Sequence, residues 1–440
     1  MVRLLNSARH LIVIAALTGC VPFVTFPTSY AGPLAPVCAL PSSGSQFQSV
    51  PPQEQSLDPS VVQQAIDYAT SHLRVSVQIF RNNCRVGAGS LEQAIEAIPL
   101  PVWSSAKSIV SLLTGIAAER GLLAIDDPIG KYLPAGPAWG DEAHRAITIG
   151  DLLTQTSGLR QSIISEAASV LSDPDIAQEA LAQPLDHPPG THFVYGQRPV
   201  DLLAFIVGQA VGQDLQTFAQ DNLFGPIGIP ADTYIWLRDR AGNSYGSSNL
   251  MMTAPQYAKL GLMVQNGGVW NGHRVLSEHY LRQAAEPTLT NGCYGYLFWT
   301  NRGQSCTSAA FPSPMTVAHS MIPSAPADLF AMVGFLHQNN FIVPSLHMTV
   351  TWIGALGDTA PDIATLLSAD PGTSDLYYNF FRILTRAVTD THIPDPGPYQ
   401  PPPMNPSFNP LNFGDPSVLL TDLFPNNTCN ILACNSQPAR

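Results

Sequence analysis

A helix that is apolar on nearly every face constrains the fold of this chain more than any other segment. Residues 104–120, SSAKSIVSLLTGIAAER, have no polar stripe, and Gly121 follows them as a stop signal. Such a helix is stable only when other elements cover it, so the sequence predicts a buried helix inside a layered domain. Lys107, one of only three lysines in the chain, lies inside this helix. A buried charged side chain needs a partner or a function.

Ser104 and Lys107 form an S-x-x-K motif. Residues three apart share a helix face, so the amine can reach the hydroxyl. A serine hydroxyl is a weak nucleophile until an adjacent base takes its proton, and lysine is such a base only when burial or a positive field lowers its pKa. We therefore predict that Ser104 is a nucleophile and Lys107 its base. The alternative is a structural lysine that pairs with a carboxylate such as Asp126 or Asp127.

A second candidate nucleophile is Ser244, in the G-x-S-x-G motif of residues 242–246. That motif works at a sharp turn from a buried strand into a helix. Here the charged segment 236–240 precedes it and no helix is indicated before about Thr253. We predict a polar hairpin tip at this position.

Composition excludes several classes of function. Charged residues make up only 12% of the chain and apolar residues 45%, so disorder driven by high charge is excluded. The formal net charge of −12 argues against a nucleic-acid partner, because phosphate binding depends on clustered Lys and Arg. Neither a C-x-x-C nor an H-E-x-x-H motif occurs, and we predict no metal or other cofactor.

Hydrophobic patterning predicts an α/β fold in which helices and strands from both chain ends form a pair of layers, with a mainly helical lobe inserted between them. Helices are predicted at residues 59–73, 104–120 and 373–388, and strands at 75–80, 84–89, 316–322, 328–335, 340–343 and 347–353.

The N-terminus resembles an export signal, since the apolar run of residues 11–17 is too short to anchor a chain in a bilayer. Two endings fit. Residues 17–20, LTGC, resemble a lipobox that would attach the chain to a membrane through a lipidated Cys20, and Ala31 ends an ordinary signal-peptidase site. Both endings predict an extracytoplasmic protein.

Six cysteines remain after Cys20, an even number that suits an oxidising compartment. Sequence proximity, and for the last pair elimination, favours Cys429 with Cys434, Cys293 with Cys306, and Cys38 with Cys84.

Several segments between residues 58 and 357 resemble, in order, the penicillin-recognising serine hydrolases. The likeness is strongest to the class C β-lactamase-like group, which includes family VIII carboxylesterases and 6-aminohexanoate-dimer hydrolases. The resemblance implies a β-lactamase/transpeptidase-like fold, in which an antiparallel sheet is flanked by helices. Its segments are WSSAKSIVSLLTGIAAERGLLAIDDPIGKYLP (103–134), ITIGDLLTQTSGL (147–159), FVYGQRPVDLLAFIVGQAVG (193–212) and SSNLMMTAPQYAKLGLMVQNGGVWNG (247–272).

The resemblance also implies roles for individual residues. Ser104 would be acylated, Lys107 would be its base, and the backbone N–H of Ser104 would be half of an oxyanion hole. Tyr195 would be the second acid/base, which transfers the proton to the leaving group. On electrostatic grounds, a phenolate near the Lys107 ammonium is reasonable. Gln197 stands where the family carries the Asn of its Y-x-N motif, and it would contact the substrate.

The segment GFLHQ, residues 334–338, resembles the G-x-x-G-Q variant of the family's esterase and oligoamide-hydrolase branches. Gly334 and Phe335 would then border the site, with the Phe335 N–H as the second oxyanion donor. His337 stands where glycine is usual, and either lines the pocket or is simply tolerated. Met332 replaces the lysine of the usual Lys-Thr-Gly, and no E-x-x-L-N motif is present, so a neutral ester or amide is favoured over a penicillin.

The sequence thus predicts an exported serine hydrolase that cleaves a small ester or amide through an acyl-enzyme on Ser104. A β-lactamase or D-alanyl-D-alanine carboxypeptidase, a catalytically weak binding protein on the same scaffold, and a structural surface protein suggested by the Pro-rich ends remain as alternatives. The oligomeric state is left open. The expected divisions are a signal peptide (1–31), a Pro/Ser-rich linker (32–56), the hydrolase domain (57–392, with its lobe at about 122–283) and a Pro/Asn-rich tail (393–440).

Overall fold

The computed structural model describes residues 35–42, 46–161, 166, 173–310, 314–354, 374–401 and 429–434. The predicted signal peptide with Cys20 lies outside the described residues, as does most of the predicted tail. Within the described ranges, no helix is long and apolar enough to cross a membrane.

The helices of this part of the chain begin and end as follows: α1 Pro59–Ser71, α2 Glu92–Ile95, α3 Ser105–Glu119, α4 Glu142–Arg145, α5 Ile149–Leu153, α6 Ile176–Ala182, α7 Arg198–Val211, α8 Leu215–Ala219, α9 Ala254–Gln265, α10 Glu278–Ala284 and α11 Asp375–Thr385. The strands are β1 Arg74–Arg81, β2 Cys84–Ala88, β3 Leu100–Pro101, β4 Ile235–Trp236, β5 Leu250–Met252, β6 Val269–Trp270, β7 His273–Arg274, β8 Trp299–Thr300, β9 Cys306–Thr307, β10 Thr316–Val317, β11 Phe330–Gly334, β12 Gln338–Val343 and β13 Met348–Gly354.

A six-stranded antiparallel sheet, in the order β2-β1-β13-β12-β11-β8, organises the domain. Its first two strands come from the N-terminal part of the chain and the others from the C-terminal part, so the predicted assembly from both ends is confirmed. Asn82 and Asn83 have φ values of 50° and 64° in the β1–β2 hairpin, a conformation that asparagine tolerates better than most residues.

Helices cover both faces of this sheet. On one face lies α11, whose Phe380 and Phe381 contact Trp352 and Phe341 with ring centroids 4.7 and 5.0 Å apart. On the other face lie α3 and α9, and the Tyr257 hydroxyl of α9 donates to the Ser105 hydroxyl of α3 at 2.7 Å. The predicted burial of α3 is confirmed, because every residue from Ser105 to Ala117 is buried.

Between the two halves of the sheet, the described residues of the segment 122–283 form helices α4 to α10 and the short strands β4 to β7. The sequence did not indicate these strands, which are two or three residues long. The strand predicted at 316–322 is also shorter than expected, because Pro323 and Pro326 belong to an irregular segment whose carbonyls accept from the Asn301 side chain.

The three disulfides favoured by the sequence, Cys38–Cys84, Cys293–Cys306 and Cys429–Cys434, are all present. The first joins the predicted linker to β2. Leu40 and Phe47 of that segment are buried, at 8% and 6% exposure, so its described residues pack against the domain.

Candidate active site

Ser104 and Lys107 meet at the N-terminal end of α3, as the S-x-x-K spacing predicts. Ser104 is the N-cap residue of this helix, and its side chain makes no capping hydrogen bond. The Lys107 Nζ lies 3.1 Å from the Ser104 Oγ. Ser104 is partly exposed, whereas the Lys107 side chain is fully enclosed, with 1% exposure. The hydroxyl is therefore open to a substrate while the amine is shielded from water.

Lys107 contacts two further oxygen atoms. Its Nζ donates to the backbone carbonyl of Ser247 at 3.0 Å and to the side-chain oxygen of Gln197. A neutral amine has two N–H groups and one lone pair. A charged Lys107 donates to all three oxygens, including that of Ser104. When the amine is neutral, the two carbonyl oxygens, which can only accept, take both N–H groups and leave the lone pair for the Ser104 hydroxyl. The contacts of Lys107 thus match those of a general base.

The charge state of Lys107 is set by opposing effects. Burial lowers the pKa of Lys107 to about 7, although the nearby carboxylates of Asp201 and Glu166 act to raise it. An amine with a pKa near neutrality is largely available as a base at physiological pH. No carboxylate hydrogen-bonds to it within the described residues, which disfavours the alternative of a lysine paired with Asp126 or Asp127; Asp127 instead pairs with Lys131.

Tyr195 completes this group of side chains. Its hydroxyl hydrogen-bonds with the Ser104 side chain, and the Lys107 Nζ lies 4.9 Å from its ring centroid. Burial raises the pKa of Tyr195, and the hydrogen bond with Ser104 only partly opposes this effect. This direction favours a neutral phenol over the phenolate considered in the sequence analysis. A neutral phenol can donate a proton.

The end of β11 approaches the backbone that precedes Ser104. A Cβ on Gly334 would lie 2.2 Å from the Val102 carbonyl oxygen, so only glycine permits this contact. Immediately after it, the Phe335 ring packs edge-on against Trp103, with centroids 5.7 Å apart. Trp103 itself has a φ of 48°, which is unusual for a bulky residue. Gly334 and Phe335 thus adjoin the N-terminal end of α3, as predicted.

His337 is not brought to this site. It has a φ of 59°, and its Nδ1 lies 2.9 Å from the Tyr377 hydroxyl of α11. Because α11 covers the face of the sheet opposite α3, the imidazole points away from Ser104. Of the two interpretations offered by the sequence, pocket lining and tolerated replacement, the geometry favours the second.

Gln197 lies at the site, but its side-chain oxygen is bound to Lys107. Its backbone N–H donates to the Glu166 carboxylate at 2.6 Å. The sequence indicated an ordinary helical stretch around Glu166 and therefore missed this contact. Burial raises the pKa of the Glu166 carboxyl to about 7.

A buried ion-pair cluster behind the site was also missed. The Arg198 guanidinium contacts the carboxylates of Asp173, Glu179 and Asp201 at 3.0, 3.2 and 3.3 Å. Asp201 in turn accepts the backbone N–H of Ser247 at 2.9 Å, which fixes the carbonyl that binds Lys107. Charged residues inside the otherwise apolar stretch RPVDLLAFIVGQAV were the available signal, as Lys107 was in its own helix.

The other nucleophile candidate, Ser244, lies elsewhere. It pairs with Arg238 across a tight turn in which the Asp239 N–H donates to the Asn243 carbonyl, so the predicted hairpin tip is confirmed. The part of the chain that the structure describes contains no cluster of three or more His, Cys, Asp or Glu side chains that could hold a metal ion.

Comparison with known proteins agrees with this geometry. Residues 99–354, more than half of the chain, match the family model described as Beta-lactamase. The chain belongs to the Beta-lactamase family. Proteins of this family are typically serine hydrolases.

Two solved structures share the fold of this Beta-lactamase family member. A putative beta-lactamase from Bacteroides dorei DSM 17855 superimposes with a TM-score of 0.57 at 17% identity, covering 76% of this chain and 99% of that one. A family VIII carboxylesterase gives a TM-score of 0.55 at 15% identity, covering 78% and 99%. The predicted β-lactamase/transpeptidase-like fold is thus confirmed.

Among curated relatives, Protein flp from Staphylococcus aureus (strain MW2) is 26% identical over 155 residues, which are 34% of this chain and 31% of that protein. The chain therefore matches about a third of the length of this relative.

Proposed function

We propose that this chain is an exported serine hydrolase that cleaves a neutral ester or amide through an acyl-enzyme on Ser104. The observation that carries the proposal is the enclosed Lys107 amine, 3.1 Å from the partly exposed Ser104 hydroxyl. Two fixed carbonyl acceptors orient its lone pair toward that hydroxyl.

In the acylation step, the Ser104 Oγ attacks the substrate carbonyl carbon while its proton passes to the Lys107 Nζ. The bond to the leaving group then breaks as the Tyr195 hydroxyl protonates that group, and Lys107 returns a proton to Tyr195. A water molecule attacks the acyl-enzyme, the acid is released, and Ser104 regains its proton.

We assign the oxyanion hole to the backbone N–H groups of Ser104 and Phe335. Ser104 caps α3, so its N–H has no partner within the helix and lies at the positive end of the helix dipole. The close contact between Gly334 and the Val102 carbonyl supports this assignment, because it brings the next residue, Phe335, near the backbone that precedes Ser104.

The walls of the site favour an uncharged substrate. Met332, at the position of the lysine that would hold a substrate carboxylate, is fully buried and carries no charge. The rings of Trp103 and Phe335 beside Ser104 are partly exposed, and they offer an apolar surface next to the reacting carbonyl. A family VIII carboxylesterase shares this fold, and its name motivates the choice of an ester as the first substrate to test.

A substrate panel tests this proposal. We expect p-nitrophenyl esters of graded length to be hydrolysed, and a chromogenic cephalosporin to be hydrolysed more slowly or not at all. Ser104→Ala should abolish turnover, whereas the matched Ser105→Ala variant should retain it, because the Ser105 hydroxyl is held by Gln338 and Tyr257 inside the protein. Faster turnover of the cephalosporin would support the β-lactamase alternative. Folded protein that binds esters without turnover would support the binding-protein alternative.

We also propose an extracytoplasmic location. Three disulfides are compatible with an oxidising compartment. Mass spectrometry of the mature N-terminus in the native host tests this: a lipidated Cys20 or a start at Gly32 supports export, and an intact residue 1–31 segment contradicts it.

A further inference from the structure

Glu166 is a half-buried titratable group that the proposed reaction does not use. Its carboxylate accepts the backbone N–H of Gln197 at 2.6 Å. The side chain of the same Gln197 accepts from the Lys107 amine, which contacts Ser104. A continuous series of hydrogen bonds therefore connects Glu166 with the nucleophile.

Gln197 is the junction of this series, because its backbone and its side chain bind different partners. The Glu166 carboxylate holds the backbone at the start of α7, and the backbone position determines where the side-chain oxygen lies. That oxygen occupies one N–H group of Lys107. If it moved away, the amine could rotate and its lone pair would no longer be fixed on Ser104.

Glu166 also acts on Lys107 through its charge, because a nearby carboxylate raises the pKa of the amine. Two carboxylates, Asp201 and Glu166, act on the amine, and the Tyr195 phenol is the titratable group on its remaining side. Asp201 is bound directly to Arg198 and to the Ser247 N–H, so its charge is compensated locally. The Glu166 carboxylate has a hydrogen bond from a backbone amide, with Arg198 and Lys107 as the cations that act on it.

We propose that Glu166 is a positioning residue that fixes Gln197 against Lys107 and, through its charge, sets the pH at which Lys107 becomes a base. This role rests on the proposed function. It assigns no contact with the substrate to Glu166 itself.

Two variants separate the two effects. Glu166→Gln keeps an oxygen that can accept from the Gln197 N–H but removes the charge. Glu166→Asp keeps the charge but shortens the reach by one methylene. A matched control is Glu179→Gln, which removes a buried carboxyl group of the ion-pair cluster behind the site, one that contacts Arg198 rather than Gln197. Circular dichroism establishes that each variant is folded.

The measurement is the rate of Ser104 labelling by a fluorophosphonate probe between pH 5 and 9. Because the pKa of Glu166 is itself about 7, its charge is present mainly in the upper half of this range. Glu166→Gln removes that charge and so lowers the pKa of the nearby ammonium, and the acid limb, which is the fall in labelling rate with decreasing pH, should move to lower pH by up to about 1 unit. Glu166→Asp should leave that limb in place and reduce the maximal rate. Glu179→Gln should retain the wild-type limb.

An unchanged or upward-shifted limb in Glu166→Gln would overturn the charge effect. An undiminished maximal rate in Glu166→Asp would overturn the positioning effect. This second result can be obtained even if Glu166→Gln does not fold. In either case, Ser104-dependent labelling of the wild-type protein would leave the proposed function standing. Folded wild-type protein without such labelling would contradict the proposed function and remove the basis of this inference with it.

Discussion

Two lysines are buried in this protein, and their surroundings differ. Lys107 in α3 and Lys259 in α9 are each 1% exposed, and burial lowers the pKa of the first to about 7 and that of the second to about 8. The Lys259 amine donates to the Gly228 carbonyl at 2.6 Å, and no hydroxyl hydrogen-bonds to it within the described ranges. Burial therefore favours the neutral form of the amine in both places, but only Lys107 has a candidate nucleophile next to it.

Two consecutive serines show the same contrast. Ser104 hydrogen-bonds with Tyr195 and contacts Lys107. Ser105 hydrogen-bonds with Tyr257, and its hydroxyl donates to the Gln338 carbonyl at 3.1 Å. A serine–tyrosine pair can thus be purely structural. The lysine and the exposure of the hydroxyl distinguish the reactive pair.

The largest effect is expected at the two lysines. Lys107→Met removes the base and should reduce kcat/KM for p-nitrophenyl acetate by about 100- to 10,000-fold. Lys259→Met should retain the wild-type value. Equal losses of kcat/KM in the two folded variants would contradict the assignment of Lys107 as the base.

The variants of Tyr195 and Tyr257 should differ less in activity than the two lysine variants. Tyr195→Phe removes the proton donor to the leaving group and should lower kcat by about 100-fold, with a smaller loss for esters whose leaving groups need no proton. Tyr257→Phe should lose some stability and keep its kcat. A kcat for Tyr195→Phe that equals that of Tyr257→Phe would contradict the assigned role.

The apolar surface beside Ser104 can be tested with Phe335→Ala. Shortening this ring removes contact area for an apolar acyl chain, so kcat/KM for the preferred longer ester should fall by about tenfold relative to the acetate ester. The matched control is Phe330→Ala at the buried start of β11, which should lower stability without changing the chain-length preference. An unchanged preference in Phe335→Ala would place the acyl chain elsewhere.

The smallest effect on catalysis is expected at His337. His337→Ala removes its hydrogen bond with Tyr377 and should lower the free energy of unfolding by about 1 kcal/mol. Its KM should match the wild-type value, because the imidazole faces α11. A raised KM with unchanged stability would instead support the pocket-lining interpretation.

Much of the fold could be predicted from the sequence, because the strongest patterns belong to the largest buried elements. The apolar helix α3, the hairpin at Asn82 and Asn83, and the strands β11 to β13 are of this kind. The short strands of the lobe could not be predicted, since two or three residues have too little periodicity to differ from a loop.

The candidate site also has features that could be predicted from the sequence and features that could not. The spacing of Ser104 and Lys107 is local, and Tyr195 follows from the family resemblance. The contact of Glu166 is made to a backbone N–H, which has no sequence signature. The direction of His337 depends on positive φ values at Leu336 and His337 in the hairpin, and these turn the imidazole toward α11.

The most direct test of the account is to map fluorophosphonate labelling of the wild-type protein by tandem mass spectrometry across pH 5 to 9. Lys107 is a base only when it is neutral, so protonation should slow labelling as the pH falls through about 7. The account predicts one adduct, on Ser104, with a rate that rises through this range. An adduct on another serine such as Ser244, or a rate on Ser104 that does not depend on pH, would contradict it.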